Sequence, residues 1–156
     1  MTLKNRLTKL EVPTVKRWRE AWEKYLDHLT DHLDALIDPL QAAATEAEAQ
    51  GLFNDEATLN AAAEAFCKRI GVPSPFALSS WDGRADLPDP DVPPDLSRWP
   101  SNLPDPPPEL PGVFEKLEPY RDSLDIHERL PALLYLFWLS HARARREYVA
   151  RTADTP

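Results

Sequence analysis

His28 and His32 stand four residues apart, with Asp27 and Asp31 beside them. On a helix that spacing puts two imidazoles on one face, where both can reach a single metal ion. The zinc-protease pattern also requires a glutamate directly after the first histidine, and Leu29 holds that place. The Glu-x-x-His element of carboxylate-bridged dimetal bundles occurs nowhere in the chain. His127 and His141 could add a ligand, but the sequence does not set their distance. The reading is therefore a solvated or helix-edge histidine pair. No metal or other cofactor is assigned, and His28 and His32 are kept as the metal candidates.

Other chemistry is harder to find. There is no Gly-x-Ser-x-Gly, no phosphate-binding loop and no dinucleotide fingerprint. Four glycines leave few places where backbone could approach a substrate closely. The expectation is that the chain is not an enzyme. Its single cysteine, Cys67, excludes an internal disulfide and falls on the inner side of a predicted helix, where a buried thiol is expected.

A nucleic-acid unit can be outlined at residues 55–82. A helix to residue 70, the turn Gly71-Val72-Pro73-Ser74 and a second helix from Pro75 toward Trp81 resemble a helix-turn-helix. Cys67 fits the small residue four before the turn glycine, but the aliphatic expected six after it is Ala77. The second helix offers Phe76, Ser79, Ser80 and Asp82, with no cation before Arg84, whereas base and phosphate contacts need Arg, Lys, Asn or Gln. Lys68, Arg69 and Arg84 are the residues this alternative would use.

The elements that must carry these groups read as helices. Leu3, Leu7 and Leu10 mark a short basic segment expected to stop before Pro13. Val15, Trp18, Trp22, Tyr25, Leu29, Leu33 and Leu36 then step by three and four, predicting a helix over 14–37. Asp38-Pro39 predicts a fresh start and Gly51 an end, giving a second helix over 38–50. Asn54 is the expected cap of a helix over 55–70, closed by Gly71. Asp125 with Glu128 predicts a capping box for a last helix to about Arg151. Leu133 to Leu139 is apolar on every side, so that helix is expected to be enclosed by others. The apolar run Ala132–Leu139 is about half of what a membrane span requires. No apolar stretch near the start reads as a secretion signal.

Residues 71–113 are different material, with twelve of the chain's 17 prolines. Flexible linkers lack large apolar groups, yet this stretch carries Trp81, Leu87, Leu96, Trp99 and Leu103 among others. It reads as an extended strap pressed on a protein surface, its own or a partner's. Its PxxP spacings at 90–93, 104–107 and 108–111 have acidic flanks and no Pro-Pro-x-Tyr, which favours a structural role over an SH3 or WW ligand.

Charge is unevenly spread. The net is −8, yet residues 1–24 hold seven Lys/Arg and three Glu, while residues 25–66 hold nine acids and no Lys or Arg. That balance argues against nucleic acid and anionic membrane as partners. Asp27, Asp31, Asp34 and Asp38 line the side opposite the leucine stripe, late in the helix where its dipole disfavours acids. Their expected partners are the arginine-rich end of the last helix, should the two run parallel, or a second subunit.

The sequence thus predicts a single all-α domain over 1–156, a bundle of about four helices from 1–70 and 114–151, with the strap 71–113 between the third and last. The expected function is a non-catalytic, cytoplasmic adaptor or assembly protein working by protein–protein contact or self-association, such as a component of a viral or multi-subunit particle. Trp81, Trp99, Leu87, Leu96 and Leu103 are the expected anchors, and the four aspartates the electrostatic face. The alternatives are the helix-turn-helix regulator or packaging factor and an acidic inhibitor of a DNA-binding protein.

Overall fold

The computed structural model describes residues 3–75 and 89–153, with side chains for 13–75 and 89–152. All regular structure in the described residues is helical. Helix α1 spans Leu3–Ala49, α2 spans Glu56–Ile70, α3 is the short Val113–Leu117, and α4 spans Ile126–Ala153. Single 3-10 turns at Leu52–Asn54 and Glu118–Tyr120 complete the connections.

The first correction concerns the prolines. Instead of three pieces parted at Pro13 and Pro39, α1 is one helix of 47 residues running through both. An interior proline forfeits a hydrogen bond and costs about 3 kcal/mol. Packing offsets it at Pro39, because Leu36, Ala43 and Ala47 lie on one continuous face and are all buried. A break at Pro39 would turn half of that face away from α4. Pro13 is exposed, so water can serve the backbone group it leaves bare.

The start of α2 is shifted by one residue from the expectation. Asp55, not Asn54, is the cap, accepting from the Thr58 backbone N–H at 3.3 Å and from the Thr58 hydroxyl at 2.6 Å. The helix ends at Gly71 in the left-handed conformation, φ 78°. Val72 N–H donates to Cys67 O and Gly71 N–H to Lys68 O, the paired bonds of a Schellman motif. Asp125 does cap α4, accepting from His127 N–H at 2.9 Å. The expected box stays open, because the Glu128 carboxylate turns to the Ser123 hydroxyl and to Arg69.

Helices α1 and α4 are the principal pair, and they run antiparallel. Tyr25 meets Arg145 near one end, and Glu46 is bonded to Arg129 near the other. One core cluster gathers Leu36, Ala43, Ala47, Phe66, Leu117, Leu130, Leu133 and Leu136 from all four helices' side of the molecule. A second, around Tyr25, Leu29, Leu33, Leu103 and Ala144, fills the opposite end. The enclosure expected for α4 is incomplete. Leu133, Tyr135, Leu136 and Leu139 are buried, but Leu134 is 48% exposed.

Candidate functional site

Residues 89–112 run in turns and irregular backbone against α1 and α4. The Trp18 indole N–H donates to Asp89 O at 2.9 Å, and Arg19 pairs with Asp91 at 2.7 Å. Trp99 makes edge contacts with Trp18 and Tyr25, ring centroids 4.7 and 5.7 Å apart. Leu103 is buried in the second core cluster. Arg145, fully buried, donates to the Tyr25 hydroxyl and to Pro104 O, both at 3.0 Å. Glu109 is gripped by Arg143 and Arg146, and Arg146 also reaches Pro107 O. The hydrogen bond from Arg143 is the main reason the Glu109 carboxyl is held below its usual range.

These contacts relocate the expected anchors. Trp99 and Leu103 serve the chain's own packing, and Leu96 is half-buried within the same segment. Trp81, Leu87 and Arg84 lie outside the described residues, as does the second half of the helix-turn-helix outline. Lys68 is exposed on α2, whereas Arg69 pairs with Glu128 at 2.8 Å and lies over the Phe66 ring. Asp27, Asp31, Asp34 and Asp38 are all exposed, and among the described residues none of them joins an ion pair. The arginine-rich end of α4 does not meet them. With α4 antiparallel to α1, Arg143 and Arg146 turn to Glu109 and Arg145 turns inward to Tyr25 and Pro104.

The opening beside Leu134 leads to a feature that sequence reasoning missed. A cavity of about 510 Å³ lies between α2 and α4. Leu59, Ala62, Ala63 and Cys67 form the α2 wall. Ile126, Leu130, Leu134, Tyr135 and Trp138 form the α4 wall, a stripe at helical spacing. Alanines on α2 keep its wall low, which leaves the channel between two helices unfilled. Leu52, Ser74 and Pro75 also line it, and Glu64 and His127 are exposed polar members of the lining. The one signal in the sequence was the all-round apolar run of α4, read there as burial on every side.

Among the described residues, the thiol and phenol in the groove walls are not activated. Burial raises the Cys67 thiol above its ordinary range, helped by the neighbouring charge of Glu64. The Tyr135 hydroxyl donates to Pro73 O at 2.5 Å and is pushed up to about 12, chiefly by burial. Neither group is poised as nucleophile or base near neutral pH. What the walls offer is apolar surface with a thin acidic edge.

The histidines of α1 are brought to α4. His28 is buried and Nε2 lies 2.8 Å from Ala144 O. His32 is half-buried, with Nδ1 at 3.0 Å from His28 O and Nε2 at 2.6 Å from Glu147 Oε2. His127 is exposed on the far groove and pairs with Asp125, so it does not join them. Compared with models of known protein families, with curated proteins and with solved structures, the chain matches none.

Proposed function

We propose that this chain is a non-catalytic adaptor or assembly protein that receives an amphipathic helix of a partner protein in the groove between α2 and α4. The observation that carries the reading is Leu134, 48% exposed within the apolar run of α4 whose other members are buried or half-buried, and flanked by Leu130, Tyr135 and Trp138 along an open channel. With about half of its surface still in water, Leu134 leaves on the order of 1 kcal/mol that a partner could recover. Grooves between two helices accept a third helix through apolar anchors at i, i+3 or i+4, and i+7. The lining here is apolar with few convergent polar groups, which suits such anchors better than a polar metabolite. The exposed Glu64 of the lining and the net charge of −8 favour a partner helix with basic flanks.

The test uses a labelled synthetic helix with leucines at i, i+4 and i+7 and lysines on its outer face, titrated with the full chain by fluorescence anisotropy. Leu134→Glu is expected to weaken binding about tenfold or more while circular dichroism and thermal midpoint stay unchanged. Saturable binding that ignores Leu134→Glu, or no binding at all, would remove the groove from consideration.

A further inference from the structure

The contact between α1 and α4 holds a second arrangement, away from the groove. His28 and His32 lie one turn apart with ring centroids 4.3 Å from each other, and Glu147 reaches them from α4. One donor atom from each of the three lies within 4.8 Å of the other two. Zinc bonds of about 2.0–2.2 Å set tetrahedral donor atoms roughly 3.3–3.5 Å apart. The pair at 2.6 Å must open by about 0.7–0.9 Å and the widest pair must close by up to about 1.3–1.5 Å. Glu147 is exposed and His32 half-buried, so their side chains can make that adjustment.

Hydrogen bonding gives independent support. His32 Nδ1 can bond the His28 carbonyl only as a donor, so a neutral His32 carries its lone pair on Nε2. That nitrogen faces Glu147 Oε2 at 2.6 Å. At this distance the two atoms share a proton, and a zinc-type ion would replace that proton and set them about 3.3–3.5 Å apart. His28 is anchored in the same manner, since its Nε2 can only donate to Ala144 O, and Nδ1 keeps its lone pair. A histidine that donates one N–H to a carbonyl and keeps the other nitrogen bare is the arrangement that orients imidazole toward a metal. Asp27 and Asp31, both exposed, stand next to the two histidines in the chain.

We infer that His28, His32 and Glu147 form a binding site for a divalent transition-metal ion of zinc type, which ties α1 to α4. Two imidazoles and a carboxylate suit zinc and leave a fourth position for water. The probe is zinc chloride, titrated by calorimetry into the untagged full chain after chelator treatment. Cobalt absorption in the visible range reports the geometry. One equivalent is expected to bind with a dissociation constant in the micromolar range or tighter, and the melting temperature is expected to rise with zinc and fall again with chelator.

His28 is buried and its replacement endangers the fold, so the decisive variants are at the surface. His32→Gln should weaken zinc binding on the order of a hundredfold and Glu147→Gln on the order of tenfold. Asp34→Asn should leave it within about twofold, because screened surface attraction is small. No saturable zinc heat up to millimolar concentration would mean that a proton alone joins His32 and Glu147, and would overturn the site. Equal losses in Asp34→Asn and Glu147→Gln, or full binding by His32→Gln, would overturn it as well.

Discussion

Arg145 shows what one residue can hold. It is fully buried and bonds the Tyr25 hydroxyl of α1 and the carbonyl of Pro104 at once. Burial raises the Tyr25 hydroxyl above its ordinary range, although the bond to Arg145 opposes that. Removing the guanidinium strands both partners, and hydrogen bonds to charged groups contribute about 1.5–3 kcal/mol. Arg145→Ala is expected to cost about 3 kcal/mol of unfolding free energy by urea titration, and lysine is not expected to rescue it, since it lacks the fork. His28 supplies a pH dependence. Burial lowers its basicity below the ordinary 6.5, so the unfolded chain takes up a proton first as the solution is acidified. Its contribution to stability is therefore complete above about pH 6.5 and is lost as pH falls through the lower folded value. Urea midpoints compared at pH 8 and pH 5 should show this loss.

At the scale of elements, α1 and α2 make different use of their breakers. Pro39 sits inside a helix whose next turns are pinned by Ala43 and Ala47, so the missing hydrogen bond is tolerated and not required. Pro39→Ala is expected to stabilise the protein by about 1 kcal/mol or more in chemical denaturation, with helicity unchanged. Gly71 has the opposite character. Its φ of 78° suits glycine alone, and a Cβ there would stand 3.5 Å from Lys116 Nζ, an ordinary contact. The cost of Gly71→Ala is thus backbone strain, about 1–2 kcal/mol, and a lowered thermal midpoint is the check. Both effects were readable as punctuation in the sequence. Only packing decided that the proline continues a helix while the glycine ends one.

At the scale of the whole molecule, Phe137 packs against both core clusters, and Trp99 with its segment covers the second. Trp99 lies between Trp18 and Tyr25, and the residues after it supply Leu103 to the core and Glu109 to two arginines. Trp99→Ala is expected to cost about 3–5 kcal/mol and to make residues 89–112 a site of early cleavage in limited proteolysis. A variant that keeps both the wild-type stability and its protease resistance would show that the segment is held elsewhere.

The sequence by itself determined the helical character and the stops at Gly51 and Gly71, because local spacing and glycine stops act within a few residues, but it did not show that Pro13 and Pro39 lie inside one helix. It also marked His28 with His32, whose four-residue step is a property of one helix. It could not place Glu147 beside them, nor Arg145 beside Tyr25, because those distances arise only when α4 lies antiparallel on α1. The groove was hidden for the same reason. An apolar run announces that it needs cover, but whether a neighbour covers it depends on side chains from another helix. Here the alanines of α2 leave Leu134 open, and that is settled by how two surfaces meet.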